Sequence, residues 1–147
     1  RVMSLRDGTK KMSKSDESNY SRIDLKDSAD EIIKKIKKAK SDSFPIPDNL
    51  KALAEKPEAL NLITIYASLS NKTLDQALNE VNGKEYSFLK KELSELLVEM
   101  ICPVGKEIKK LIEDKSFLEK ILNEGTEKAG VIAERNLKEI KNVVGFF

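Results

Sequence analysis

Lys11-Met12-Ser13-Lys14-Ser15, directly after Asp7-Gly8-Thr9-Lys10, puts two ammonium groups and two hydroxyls on five consecutive residues. Lysines are point charges suited to phosphate oxygens. Glycine and serine let the backbone bend and offer N–H donors to an anion. The segment is therefore equipped to grip a polyphosphate. Histidine is absent and Cys102 is the single cysteine, which removes the commonest general base and argues against a zinc site. Any chemistry done here works by charge and position, as in phosphoryl and nucleotidyl transfer. Ser116 and Thr73 have no base to activate them and read as helix caps.

The chain has 147 residues, 39% hydrophobic and 35% charged, with a formal net charge of +2. A chain of this size buries roughly 68–70% of its unfolded surface. Bulk charge this small argues neither for nor against a nucleic acid partner. No apolar run approaches the ~20 residues that span a membrane. With no leader peptide and a cysteine that cannot pair internally, the expectation is a cytoplasmic protein without membrane contact. Cys102, after an apolar run, reads as a small buried hydrophobe.

The elements around the lysine segment follow from its flanks. Val2, Met3 and Leu5 form a short apolar run that fits the end of a buried strand, with partners expected upstream. Residues 6–22 are polar and aperiodic, and read as a loop. Ser28 and Glu31 have capping-box spacing, with Ile32, Ile33, Ile36 and Ala39 as the apolar face of the helix behind them. Pro45 and Pro47 interrupt that helix, and Pro57 suits the first turn of the next. Thr73–Gln76 is a second capping box and Ser116–Glu119 a third. Leu89, Leu93, Leu96, Leu97 and Met100 mark a longer helix that Pro103 ends or restarts. Gly125 is expected to stop one helix, and the last runs from about 126 to 144. The pattern predicts a mainly α fold, a bundle of about six helices, with a strand and loop in front. Lys34, Lys35, Lys37, Lys38 and Lys40 read as a solvated helix face, the alternative being a track for the phosphates of a nucleic acid. Tyr66 and Tyr86 read as structural tyrosines rather than platforms for bases.

Residues 1–16 resemble the second signature, KMSKS, of class I aminoacyl-tRNA synthetases, and more narrowly the tryptophanyl-tRNA synthetases. The resemblance extends through Ile23-x-Leu25-x-Asp27, Ser41-Asp42, Asn61-Leu62-Ile63-Thr64-Ile65-Tyr66, Gly125-Thr126-Glu127-Lys128-Ala129, Ile132-Ala133 and Val144-Gly145. It implies ATP-dependent activation of tryptophan as the adenylate and transfer to tRNA(Trp), with Mg2+ on the ATP phosphates and no protein-bound metal. It implies that Lys11 and Lys14 bind the β- and γ-phosphates and stabilise departing pyrophosphate. Met12, Ser13 and Ser15 complete the ATP contacts, and the Val2 backbone meets the adenine. The family's His-containing first signature is missing, and Gly8 replaces a proline often found there, an exchange expected to loosen the loop. The resemblance thus implies the C-terminal part of a longer, homodimeric bacterial-type enzyme, inactive alone. Residues 1–22 would end a truncated Rossmann-like nucleotide-binding domain. Residues 23–147 would form the helical anticodon-side domain, its last helix packing back on the missing part. The rival readings are a tyrosyl-tRNA synthetase-like fragment and a free-standing helical RNA-binding module.

Overall fold

The computed structural model describes residues 1–145. The chain divides into two compact units, 1–106 and 107–147. Six α-helices are described, α1 Ala29–Lys37, α2 Leu50–Ala54, α3 Pro57–Leu69, α4 Leu74–Val81, α5 Tyr86–Glu113 and α6 Lys115–Val144, after a single 3-10 turn at Asn19–Ser21. Among the described residues no helix is long and apolar enough to cross a membrane.

Unit 1 is organised around α3. Pro57 occupies its first turn, and Ala59, Leu62, Ile63, Tyr66 and Ala67 are buried. A helix buried on so many sides sits in a core rather than at a surface. Against it pack α2 and α4. The same hydrophobic cluster takes in Ile32 and Ile36 of α1, Leu78 and Val81 of α4, and Leu89 and Leu93 of α5. Two capping boxes form as the sequence requires: Ser28 with Glu31 starts α1 and Thr73 with Gln76 starts α4. Ile46, 2% exposed, exchanges backbone bonds with the end of α4, Ile46 N–H to Lys84 O at 3.0 Å and Gly83 N–H to Ile46 O at 2.9 Å. The proline-flanked segment is thereby fixed to the core. Asn49 then caps α2 through the Ala52 amide.

Pro103 lies inside α5 and does not end it. A proline removes one ladder bond and clashes with the preceding turn, but the helix continues to Glu113. Two residues past Pro103, Gly105 is buried, and a Cβ there would lie 2.6 Å from the Leu25 carbonyl oxygen. Cys102 is half-buried and free.

Unit 2 holds the last turns of α5 and all of α6. Asp114 joins them, and its carboxylate accepts from the Phe117 amide (3.0 Å) and the Ser116 hydroxyl (2.8 Å). Asp114, not Ser116, is therefore the N-cap. Gly125 does not stop a helix; it sits inside α6, with open space where its Cβ would be. The helix ends at Gly145 with φ of 75°, a left-handed cap that favours glycine. No residue of α6 is buried, and Leu122, Val131, Ile132, Leu137, Ile140 and Val144 are all exposed.

Candidate functional site

The lysine loop is an exposed turn on an anchored stem. Met3 and Lys11 form an isolated antiparallel bridge, with the Ser4 amide donating to Lys10 O (2.8 Å) and the Met12 amide to Val2 O (3.2 Å). No longer strand forms among the described residues, because other partners take the backbone groups that a ladder would use. The Asn61 side chain holds Met3 N–H and C=O. Leu5 donates to Ser21 O (2.9 Å) and accepts from the Lys40 amide (2.7 Å). Leu5 and Ser4 are buried, so the short apolar run is a core anchor satisfied within unit 1.

Beyond the bridge, Lys11, Ser13, Lys14 and Ser15 are exposed, and Met12 packs partly buried against the core cluster. The side-chain oxygens of Ser13 and Ser15 lie 3.0 Å apart, and the Ser15 amide donates to Ser13 Oγ at 3.3 Å. Lys10 is engaged with Asp7 at 3.5 Å. Thr9, through its hydroxyl first and then its amide, with Lys10 adding less, holds the Asp7 carboxyl below its ordinary value. Lys11 and Lys14 have no carboxylate partner among the described residues. Two exposed ammonium groups thus stand three residues apart on one turn. The loop's exit is fastened by Arg22, which donates to Asp16 O (3.1 Å) and Asn19 Oδ1 (2.8 Å) and pairs with Asp24. Val2, 46% exposed, lies at the open edge of the stem.

The helix lysines divide. Lys35 is buried and pairs with Asp27 (2.5 Å) and Asp24 (3.5 Å). Lys40 pairs with Glu58 at 2.7 Å. Lys38 lies 4.1 Å over the Tyr20 ring. These three have partners within unit 1, whereas Lys34 and Lys37 are exposed on the same helix. Nor is Lys90 free: burial pushes its ammonium below the ordinary value, and it caps the end of α1 by donating to Ala39 O (2.8 Å) and Ser41 Oγ (2.9 Å). A cavity of about 690 Å³ opens beside it between α1 and α5, lined by Ile33, Lys37, Tyr86 and Val98 among others. Sequence reasoning missed Asn61 as a support of the stem. Its signal was a polar side chain among the apolar positions of a central helix.

The site is thus an anchored stem carrying a lysine–serine turn beside a helical body. The family model for class I tRNA synthetases (W and Y) matches residues 1–102, and the chain belongs to that family. Within it, similarity is to the tryptophan members. The chain is 48% identical over 146 residues to the tryptophan–tRNA ligase of Agrobacterium fabrum, covering 99% of this chain and 41% of that protein. It is 48% identical over 147 residues to that of Caulobacter vibrioides, covering 100% and 43%. Tryptophanyl-tRNA synthetase from Mycoplasma pneumoniae superposes with a TM-score of 0.70 at 27% identity, over 100% of this chain and 46% of that one. The chain thus spans under half the length of the relatives it matches.

Proposed function

We propose that these residues form part of a longer ATP-dependent ligase that activates tryptophan as the adenylate and transfers it to tRNA(Trp). In activation, a tryptophan carboxylate oxygen attacks the α-phosphorus, the bond to the β-phosphate bridge breaks, and pyrophosphate leaves with its charge increased. Lys11 and Lys14 hold the β- and γ-phosphates and neutralise that charge as it develops. Met12, Ser13 and Ser15 add backbone and hydroxyl donors, Mg2+ arrives with the ATP phosphates, and the Val2 backbone faces the adenine. The observation that carries this reading is the pair of unpaired ammonium groups, Lys11 and Lys14, on a turn whose stem is fastened on both sides.

Residues 1–22 belong, on this reading, with a Rossmann-like nucleotide-binding domain, and residues 23–147 form the helical domain on the anticodon side. The exposed apolar residues of α6 suit burial against the rest of the longer protein, since apolar surface of this extent is rare on monomers. A cytoplasmic homodimer is part of the same reading. The test is amino-acid-dependent exchange of pyrophosphate into ATP by the longer protein carrying these residues. Tryptophan should support exchange, tyrosine should not, and residues 1–147 alone should give none. Exchange driven by tyrosine, or by the chain alone, would overturn it.

A further inference from the structure

Asn61 is a buried amide, 4% exposed, in the middle of the otherwise apolar buried face of α3. A buried amide is costly unless its donor and acceptor are both used, and here both meet the backbone of Met3, with Ser4 O as a further acceptor. Asn61 Oδ1 accepts from the Met3 amide at 2.9 Å, and Nδ2 donates to Met3 O at 2.9 Å and to Ser4 O at 3.4 Å. The pairing of Met3 with Lys11 gives this meaning. The bonds flanking that pair run from Ser4 to Lys10 and from Met12 to Val2, so Met3 and Lys11 face each other as a non-hydrogen-bonded pair. The N–H and C=O of Met3 itself then point to the opposite edge, where Asn61 takes both. One side chain stands in the place of a neighbouring strand.

We propose that Asn61 is the positioning residue of the phosphate loop: through Met3 it fixes the height and tilt of Lys11 relative to the core, without touching the anion. The proposal rests on the reading of Lys11 and Lys14 as phosphate ligands. A core leucine would fill the same space but leave Met3 N–H and C=O unpaired, freeing the stem to shift. Misplacement by about 1 Å can cost a rate on the order of 10²-fold.

The test uses Asn61→Leu and Asn61→Asp in the longer protein, with Lys14→Ala alongside. Both Asn61 variants should lower kcat for tryptophan-dependent pyrophosphate exchange by roughly 10- to 10²-fold, with the KM for tryptophan unchanged. The variants should separate with pH. An ionised carboxylate accepts from Met3 N–H but repels Met3 O, whereas a protonated one both donates and accepts as the amide does. Burial raises the pKa of such a carboxyl, so Asn61→Asp should recover activity as pH falls and Asn61→Leu should not. Wild-type kcat in both Asn61 variants, with Lys14→Ala impaired, would overturn the proposal and leave the phosphate reading standing. Wild-type kcat together with a wild-type KM for ATP in Lys14→Ala would instead sink that reading. Should Asn61→Leu fail to fold, amide hydrogen exchange on Asn61→Asp decides. Faster exchange at Met12 with Leu78 unchanged supports positioning. Equal loosening of both gives Asn61 a merely structural role and overturns it.

Discussion

Gly8 lies directly on the backbone of Glu58: a Cβ built on Gly8 would fall 2.5 Å from the Glu58 amide nitrogen and 2.6 Å from Pro57 O. The glycine preceding the lysine loop is therefore a point of contact with the first turn of α3. The proline that often stands there would meet the same backbone. The contact is backbone on backbone, so no side-chain rotation can relieve an added methyl. Gly8→Ala should destabilise unit 1 by about 1–3 kcal/mol, read as a lower urea midpoint with the slope unchanged. An unchanged midpoint would show that α3 yields.

Glu58 also ties the same region together by charge. The hydrogen bond from Lys40 holds its carboxyl below the ordinary 4.5, with the Gly8 amide adding a smaller pull. A carboxyl depressed on folding contributes stability above its unfolded pKa and loses it as pH falls through the folded one. Stability should thus decline below about pH 4.5, and Glu58→Gln should flatten that decline. The flattening will be partial. Glu80 is held down by Lys72, Asp7 by Thr9 and Asp114 by the Phe117 amide, all in the same direction. Thermal melts from pH 6 to pH 3 on both proteins compare the slopes; parallel curves would remove Glu58 from the account.

Tyr86 is 5% exposed, and its hydroxyl has no hydrogen-bond partner among the described residues. Burial foremost, with Asp42 and Glu58 nearby, pushes the phenol from 10 up to about 12. A raised pKa contributes stability below the unfolded value and loses it as pH rises through the folded value. Part of the native stability should therefore vanish between about pH 10 and 12. Tyr86→Phe should remove that alkaline loss, and at neutral pH it should be neutral or stabilising by up to about 1 kcal/mol, because it deletes an unpaired buried O–H. Alkaline melts of the two proteins decide, and a Tyr86→Phe protein destabilised at neutral pH would mean that the hydroxyl has a partner.

Where local chemistry dominates, the sequence was legible. Ser28 with Glu31 and Thr73 with Gln76 cap their helices as their spacing requires. The same pattern at Ser116 failed because Asp114, two residues earlier, caps equally well and lets α6 begin directly after α5. Pro103 and Gly125 did not interrupt their helices. The cost of about 3 kcal/mol for proline and 1 for glycine is local, and the remaining ladder outweighs it. Five-residue α2 was hidden behind Pro45 and Pro47, although Asn49 was its cap signal. The lysine loop was legible from residue types alone. Its support was not, because Asn61 and Gly8 act through contacts with segments some fifty residues away in sequence. The pairing of Lys35 with Asp27 and of Lys40 with Glu58 was hidden because each carboxylate lies outside α1, 8 and 18 residues from its lysine, and meets it only after folding.

The most direct test of the proposed phosphate grip is Lys14→Ala in the proposed longer protein, measured as the single-turnover rate of tryptophanyl-adenylate formation. Lys10→Ala, a lysine already engaged by Asp7, serves as the neighbouring-charge control. Lys14→Ala should lower the rate by roughly 10²–10³ with a smaller effect on tryptophan affinity, and Lys10→Ala should cost far less. A Lys14→Ala enzyme that keeps its rate at saturating ATP and shows only a raised KM for ATP would contradict the account. Lys14 would then bind the nucleotide without stabilising the departing pyrophosphate.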